Sequence, residues 1–256
     1  MVSLLWRTLN SWLAPLPLAD HFDWLTAQDY THRGLHGLGR VENTLSAFQS
    51  AMDRGLGIEC DVRLSADGLA MVFHDETLTR LADRPERVSR LSAKQLSKVL
   101  VGPRDTIPTL GQMLQCVDGA VPILIELKSP ANSRVEPLCL AVRRELEGYR
   151  GHCAVMSFDP RVSRWFWRYS PDTCRGLVLS EENARTYSAT IRRYRALRRA
   201  MPHFLAYDIR DLPSSFARKQ RKRGIPLLSW TVRSPALRET ARHEADGCIA
   251  EGEGLA

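Results

Sequence analysis

Short apolar segments alternate with amphipathic segments along almost the whole chain, and this alternation constrains the fold more than any other feature. Eight apolar segments have the length and residue preferences of β-strands, and they lie at 29–33, 57–63, 122–127, 153–157, 175–179, 203–208, 226–232 and 247–250. Eight strands that alternate with helices over 256 residues have the size of one parallel barrel. We therefore predict a single α/β domain over residues 1–256, folded as a (β/α)₈ TIM barrel.

The segments between these strands carry signals that start helices. Thr109 and Gln112 have the spacing of a capping box, and Asp159 is followed by Pro160, a pair favoured at an N-cap and first turn. The run after Pro160 places apolar residues at helical spacing on one stripe, which we expect to be buried: Val162, Trp165, Phe166 and Tyr169. These signals predict helices packed around the outside of the barrel.

One segment departs from the alternation. The run CDVRLSADGLAMVFHD contains two strand-like stretches joined by Asp67 and Gly68, which is the pattern of a β-hairpin. We interpret residues 69–74 as a short antiparallel hairpin insertion after the second strand. The second strand of this hairpin would run back alongside the first and bring His74 to about the level of Glu59 and Asp61.

Charged residues occur on two of the predicted strands at alternate positions. In GIECDVR, Glu59 and Asp61 share one face, and in PILIELKS, Glu126 and Lys128 do the same. The intervening apolar residues should meet the outer helices, so the charged side chains should point into the barrel. They lie near the C-terminal ends of the strands, where barrel enzymes carry their chemistry.

Three inward carboxylates close together would repel one another and would be costly to desolvate. A bound divalent cation removes both penalties. Because all three ligands supply oxygen, we expect Mg²⁺ or Ca²⁺ rather than Zn²⁺, with Glu59, Asp61 and Glu126 as the metal ligands.

The segment THRGL, at the end of the first strand, places His32 and Arg33 before Gly34. We expect the glycine to let the backbone turn close to a ligand. With His74 and Lys128, this segment would bring two imidazoles and two cationic groups to the barrel mouth. Such a set suits a phosphoester, because cations stabilise phosphoryl oxygens while one histidine takes a proton and the other gives one.

At these residues the chain resembles a known family. The run HRGLHGLGRVENTLSAFQSAMDRGLGIECDVRLSADGLAMVFHD, followed by IPTL, IELK, MSFDP and SWTVRS, is similar to the glycerophosphodiester phosphodiesterase family. The resemblance extends from about residue 29 to residue 251. Each motif alone is weak, whereas their occurrence together and in order is specific.

The resemblance implies a (β/α)₈ barrel with a small insertion and metal-dependent hydrolysis of glycerophosphodiesters to glycerol 3-phosphate and an alcohol. It also implies roles for eight residues: His32 and His74 as the acid–base pair, Glu59, Asp61 and Glu126 as ligands of Mg²⁺ or Ca²⁺, and Arg33, Lys128 and Trp230 as substrate contacts.

Several features near this set stay open. His36, in GLHGLG, either contacts substrate or faces solvent. Glu42 and Asn43 either touch the site or belong to a helix cap, for which Asn43 and its neighbour threonine both qualify. Glu251 follows the last strand, where many relatives have an acidic residue after a threonine, and we leave it outside the predicted site. The segment between His74 and IPTL is short, so we expect a small cap over an open pocket.

The net charge of +7 favours anionic partners. The arginine-rich runs IRRYRALRRA and RKQRKRG, with an apolar N-terminal extension at 1–28 that contains Trp6 and Trp12, favour peripheral contact with an anionic membrane. A solvated helix face explains the same runs. The N-terminal extension would equally fit the bottom or the side of the barrel.

These features give an alternative function, a lysophospholipase D that acts on lysophospholipids at a membrane surface. We expect no nucleic-acid partner, because no RNA-binding motif accompanies the basic runs. The six cysteines lack pairing or ligand spacing, and no signal-peptide cleavage pattern follows the N-terminus. We therefore predict a cytoplasmic protein, or one held peripherally at the inner membrane surface.

Overall fold

The computed structural model describes residues 22–37, 39–130, 133–182, 184 and 186–255. Within them the strands, in chain order, are β1 (Tyr30–Thr31), β2 (Gly57–Leu64), β3 (Ala70–Val72), β4 (Leu100–Val101), β5 (Asp105–Thr106), β6 (Ile123–Leu127), β7 (Cys153–Ser157), β8 (Cys174–Leu179), β9 (Phe204–Asp208), β10 (Leu227–Val232) and β11 (Gly247–Ala250). The α-helices of the same residues are α1 (Leu45–Met52), α2 (Thr79–Ala82), α3 (Ala93–Leu96), α4 (Leu110–Val117), α5 (Glu136–Leu146), α6 (Pro160–Tyr169), α7 (Tyr187–Ala200), α8 (Ser215–Arg221) and α9 (Pro235–Glu244).

Eight of these strands form a closed parallel barrel. Their order around the ring is β1, β11, β10, β9, β8, β7, β6 and β2, and pairing of β1 with β2 closes it. The register places Asp61 of β2 opposite Glu126 of β6. The predicted TIM barrel is thus confirmed, with β1 reduced to two residues.

Helix starts follow the sequence signals closely. Thr109 accepts a hydrogen bond from the backbone N–H of Gln112 in a complete capping box, and the Asp159 side chain accepts one from the N–H of Arg161. The apolar stripe of α6 is narrower than predicted. Tyr169 is half exposed rather than buried, because it lies in the last turn of the helix.

The two faces of the barrel strands have different partners. The outward residues of β2 and β6 are apolar and pack against α1, α4 and α5. The inward residues form a second apolar cluster inside the barrel, which contains Tyr30, Leu124, Met156, Phe204 and Leu228. The charged inward residues of β2 and β6 lie beyond this cluster toward the C-terminal strand ends, so they face the barrel mouth.

The opposite end of the barrel, which we call the floor, is covered by residues 22–28. A 3₁₀ helix, Asp23–Leu25, buries Leu25 completely within the inner cluster. Phe22 stacks on His203 and Trp24 stacks on His152, with ring centroids 4.7 and 5.1 Å apart. This part of the predicted N-terminal extension therefore lies at the bottom of the barrel. Residues 1–21, including Trp6 and Trp12, lie outside the described residues.

The predicted hairpin is present, since β3 pairs antiparallel with β2. The insertion is larger than predicted, however. The chain from residue 76 to residue 108 adds α2, α3 and the two-stranded sheet β4–β5. These elements enclose their own apolar cluster, which includes Phe73, Leu78, Val88, Leu96 and Ile107. The cap is consequently a small folded unit rather than a bare loop.

Among the described residues, no helix combines the length and apolar character needed to cross a bilayer.

Candidate active site

Three carboxylates meet at the barrel mouth. Glu59 and Asp61 on β2 and Glu126 on β6 each contribute one oxygen, and these oxygens lie within 4.8 Å of one another. All three side chains are buried. Strand alternation and the register between β2 and β6 together bring them to one point.

Two cationic side chains face this group. Lys128 Nζ lies 3.0 Å from Asp61 Oδ1 and 2.6 Å from Glu126 Oε1, and Arg33 Nε lies 3.2 Å from Asp61 Oδ2. Three ionised carboxylates against two cations would leave one negative charge uncompensated. Glu59 is held by the backbone N–H of Arg33 at 3.0 Å rather than by a cationic side chain.

The pKa values reflect this imbalance. Burial, followed by the charges of Asp61 and Glu126, raises the pKa of Glu59 well above its usual value. Burial would also raise the pKa of Asp61, but Lys128 and Arg33 reverse this effect and hold it below its usual range. The site therefore has room for one more positive charge beside Glu59. A hard divalent cation fits this buried, all-oxygen group of ligands.

Asn43 fixes the central carboxylate from behind. Its Nδ2 donates to Asp61 Oδ2 at 2.9 Å, and its Oδ1 accepts from the Asp61 backbone N–H at 3.1 Å. Thr44, not Asn43, caps α1. The sequence left both possibilities open. The signal that favours the site is that Thr44 already supplies a cap, so Asn43 is not needed for one.

The turn after β1 has unusual backbone geometry. Arg33 and Gly34 both have positive φ angles, of 57° and 79°. A Cβ atom on Gly34 would lie 2.9 Å from a ring carbon of Phe48. The glycine is thus needed so that the turn can pack against α1, and its approach to a ligand stays a prediction.

Glu42 braces the arginine of this turn. Its Oε1 accepts hydrogen bonds from Arg33 Nη1 and from Arg80 Nη2, each at 2.7 Å. Burial would raise the pKa of Glu42, but Arg80 and Arg33 outweigh burial and lower it. The carboxylate stays charged and holds Arg33 beside Asp61.

His32 is held by a carboxylate that the predicted site omits. Its Nδ1 lies 2.5 Å from Glu251 Oε2, and Glu251 Oε1 accepts from Arg233 Nε at 2.6 Å. Burial lowers the pKa of His32 despite the opposing effect of Glu251. Glu251 follows β11, which is the neighbour of β1 in the closed ring, so closure brings it to His32. Its position after the last strand was the available sequence signal.

His74 has a parallel arrangement. Its Nδ1 lies 2.7 Å from Asp75 Oδ1, and Asp75 Oδ2 accepts from Arg80 Nε at 2.6 Å. Arg63 Nε donates to the carbonyl oxygen of His74 at 2.7 Å and fixes its backbone. Burial lowers the pKa of His74, and the nearby Asp61 partly opposes this effect. Both imidazoles therefore have Nδ1 bound to a carboxylate that an arginine holds in place.

Trp230 lies at the C-terminal part of β10, beside Asp208 of β9. Its ring meets the half-exposed Phe158 edge to face, with centroids 5.3 Å apart. Its indole N–H is buried and has no hydrogen-bond acceptor among the described residues. These two rings form an aromatic wall at the mouth.

A cavity of about 160 Å³ adjoins Lys128. Leu64, Val88, Pro130 and Leu138 supply much of its apolar lining, and Arg63 and Glu76 add charged groups. It lies between the insertion and the segment that follows β6. The mouth thus continues into a pocket of mixed apolar and charged character.

The sequence of this chain is similar to those of one family of known proteins. Residues 32–250 match the sequence profile of the glycerophosphoryl diester phosphodiesterase family. Human glycerophosphodiester phosphodiesterase 1 is 29% identical over 132 residues, which are 47% of this chain and 40% of the human protein. The chain therefore matches only about two fifths of the length of that relative.

Solved structures resemble nearly the whole chain. The glycerophosphodiester phosphodiesterase of Thermotoga maritima is 28% identical, with a TM-score of 0.69 over 86% of this chain and 92% of that one. An Oleispira antarctica phosphodiesterase in complex with the product sn-glycerol-3-phosphate has a TM-score of 0.77 at 22% identity, covering 87% of this chain and 92% of that one. The second likeness supports the shared barrel fold.

Proposed function

We propose that this chain, which belongs to the glycerophosphoryl diester phosphodiesterase family, hydrolyses glycerophosphodiesters to glycerol 3-phosphate and an alcohol. One observation carries the proposal. Three buried carboxylates converge at the barrel mouth beside two cationic side chains, and two carboxylate-bound imidazoles flank them. Few reactions other than phosphoryl transfer use all of these groups at once.

The three carboxylates Glu59, Asp61 and Glu126 would hold the divalent cation. Mg²⁺ and Ca²⁺ both suit the buried oxygen ligands. The negative charge that Arg33 and Lys128 do not compensate would lie on Glu59 when the cation is bound. When bound, such a cation supplies Lewis-acid stabilisation of the phosphoryl oxygens. Asn43 keeps Asp61 in the orientation that this requires.

Arg33 and Lys128 would bind the phosphate of the substrate. Both are already fixed against Asp61, so their positive charges are preorganised at the place where negative charge develops in the transition state. Trp230 and the adjoining cavity would receive the groups attached to the phosphate.

The imidazoles would move the protons. A carboxylate on Nδ1 favours the tautomer with the proton on that atom, which leaves the Nε2 lone pair free. Burial lowers both pKa values, so a neutral ring is available near pH 7 to accept a proton from water. The other imidazole would start the cycle protonated, a state that the anionic phosphodiester favours. A bond forms between the water oxygen and phosphorus while the neutral ring takes the water proton, the bond from phosphorus to the alcohol oxygen breaks, and the protonated ring gives its proton to that oxygen. Transfer of a proton from the first ring to the second through solvent then restores the starting state.

A panel of glycerophosphodiesters, assayed for released glycerol 3-phosphate with Mg²⁺ or Ca²⁺ in turn, tests this function. We expect turnover with at least one diester and its loss in chelator. The exposed His243, which pairs with Glu239 on α9, provides a control, because His243→Ala should retain turnover. Absence of turnover with every diester and both cations would overturn the proposal.

A second candidate is a lysophospholipase D that works at a peripheral membrane contact. The exposed face of α6 favours it, since the Arg164 guanidinium lies 3.9 Å from the Trp167 ring centroid and Arg168 lies beside the half-exposed Tyr169. Arginines beside exposed aromatic rings suit an anionic lipid surface. Hydrolysis of lysophospholipid in micelles, reduced in Arg164→Glu, would support this activity, whereas turnover of soluble diesters alone would discard it.

We further propose that the protein works in a reducing compartment such as the cytoplasm. All six cysteines are unpaired, and oxidising compartments favour disulfides.

A further inference from the structure

A second group of ligand atoms lies beside the carboxylates. His32 at the end of β1, His36 in the following turn and Glu251 after β11 each offer one atom, and these atoms lie within 4.8 Å of one another. We propose that this group binds a transition-metal ion such as Zn²⁺ and that the bound ion inhibits hydrolysis by removing His32 from proton transfer. The inhibition rests on the proposed function, whereas the binding does not.

An enclosed nitrogen indicates a ligand at this point. His36 Nε2 is buried and has no hydrogen-bond partner among the described residues. Glu251 Oε2, which already contacts His32 Nδ1, lies 3.4 Å away, at ion-pair distance but longer than an ordinary hydrogen bond. A polar atom enclosed without a partner is costly. An ion bound between His36 and Glu251 would remove this cost.

The same oxygen of Glu251 lies close to both imidazoles. Glu251 Oε2 lies 2.5 Å from His32 Nδ1 and 3.4 Å from His36 Nε2. Zinc bonds of about 2.0–2.2 Å in a tetrahedron place ligand atoms roughly 3.3 Å apart. The contact between His32 and Glu251 therefore has to lengthen by about 0.8 Å to admit the ion, whereas the separation of His36 Nε2 and Glu251 Oε2 already matches this spacing.

The ligand types separate this group from the carboxylates. Two imidazoles and one carboxylate suit Zn²⁺ and similar ions, whereas three carboxylates suit Mg²⁺ or Ca²⁺. Three protein ligands also leave a fourth position for water. The barrel mouth thus presents two neighbouring cation sites of different chemical preference.

Arg233 orients the Glu251 carboxylate without contacting the oxygen that faces the imidazoles. Its Nε binds Glu251 Oε1 at 2.6 Å, which leaves Oε2 facing the imidazoles. The Arg233 side chain is 56% exposed, so it is free to swing toward solvent when an ion adds positive charge.

Binding at Nδ1 changes what His32 is able to do. In the free protein the Glu251 carboxylate favours the tautomer of His32 with the proton on Nδ1, and this tautomer leaves the Nε2 lone pair to accept a proton. When the Nδ1 lone pair binds the ion, the ring proton moves to Nε2. That nitrogen then has no lone pair with which to accept a proton, and His32 stops acting as a base.

Zinc titration of the full chain, in wild type and in His36→Gln, tests the binding. Calorimetry with Zn²⁺ gives the affinity, and visible absorption of added Co²⁺ shows whether nitrogen ligands in a tetrahedral site are present. We expect His36→Gln to weaken Zn²⁺ binding by roughly 10-fold or more, since even the loss of a group that supports a ligand costs that much. His243→Gln, which removes an exposed histidine beside Glu239, should bind Zn²⁺ as wild type does.

Inhibition is then measured with saturating Mg²⁺ and expressed as a fraction of each variant's own zinc-free rate. We expect the zinc concentration for half inhibition to rise in His36→Gln by the same factor as the dissociation constant. Equal zinc affinity in His36→Gln and wild type would overturn the site, as would inhibition that excess Mg²⁺ relieves equally in both. If His36→Gln melts early, Zn²⁺ binding to Glu251→Gln decides instead, and unchanged affinity there overturns the proposal. Because calorimetry and Co²⁺ absorption need no substrate, a protein without phosphodiesterase activity still gives a result.

Discussion

Two pairs of histidines lie at opposite ends of the barrel, His32 and His74 at the mouth and His152 and His203 at the floor, and the two pairs have different partners. At the mouth, His32 and His74 each present Nδ1 to a carboxylate that an arginine holds. At the floor, His152 and His203 stack face to face on aromatic rings of the N-terminal segment. The residue type is the same, so the neighbours decide which imidazoles have the carboxylate on Nδ1 that our proposed proton transfer uses.

The difference follows from chain direction. Residues that follow parallel strands end at the mouth, where turns converge and bring carboxylates from distant parts of the chain together. Residues that precede the strands lie at the floor, where the inner apolar cluster needs covering. His203 is buried there, and burial, with a smaller contribution from Arg175, lowers its pKa to about 4. Its Nδ1 accepts from the backbone N–H of Arg175 at 3.3 Å, and its Nε2 has no hydrogen-bond partner among the described residues.

The largest effect on activity should come from substitution of the carboxylates at the mouth. Glu126→Gln removes one oxygen ligand and one charge, and we expect kcat/KM to fall by ~10³-fold, because a bound cation contributes several kcal/mol of charge stabilisation. Rates at increasing Mg²⁺ and Ca²⁺ measure the effect. Glu136→Gln, at the exposed start of α5, is the matched control. Full activity of Glu126→Gln in the presence of chelator would contradict a role for a cation bound at the mouth.

Substitution of the histidines tests the comparison directly. His32→Ala and His74→Ala should each lower kcat by ~10²-fold or more, as loss of a general acid or base does. His152→Ala at the floor should leave kcat unchanged and lower only the melting temperature. Steady-state kinetics and thermal melts on the three variants give both quantities. A comparable loss of kcat in His152→Ala would contradict the division between mouth and floor.

Glu251 should act through His32 and have a smaller effect. We expect Glu251→Gln to lower kcat by roughly 10-fold, the usual loss when a group that orients another is removed. Because the Glu251 carboxylate raises the pKa of His32, its loss should also move the acidic limb of the pH–rate profile to lower pH. A purely structural role would lower stability and leave that limb in place.

The floor should show a small pH effect on stability. The folded-state pKa of His203 lies below the unfolded value, so the unfolded chain binds more protons between these values. The stability that this burial provides is present above about pH 6.5 and is lost as the pH falls toward about 4. We expect the pH dependence of melting to flatten in His203→Gln over this range, while the pH–rate profile keeps its shape. An identical pH dependence of melting in wild type and His203→Gln would exclude this residue.

Sequence patterns predicted the barrel because buried parallel strands are continuous apolar runs separated by helices. The carboxylate group was predictable for a related reason. Glu59, Asp61 and Glu126 interrupt such runs at alternate positions, so strand geometry alone fixes the direction of their side chains.

The remaining site residues depend on contacts that local patterns do not specify. Asn43 reaches Asp61 because its backbone adopts a φ of 57°, which sequence spacing does not reveal. Glu251 meets His32 across 219 positions of sequence, and only closure of the ring joins them. The hairpin of the insertion was predicted but its size was not, because α2 and α3 have four residues each, too few to show a helical period.

The shortest strand of the ring has a consequence for how activity is lost. Tyr30 and Thr31 are the residues of β1 that pair with β2 and β11, and the two residues that follow them contact Glu251 on one side and Glu59 on the other. With two paired residues on each side, the pairing of β1 is the shortest in the ring, although backbone hydrogen bonds of Asp29 and His32 extend it. If this pairing is lost on warming before the rest of the barrel unfolds, the contacts of His32 with Glu251 and of Arg33 with Glu59 are lost while most helices and strands are still intact. Activity should then be lost at a lower temperature than the fold.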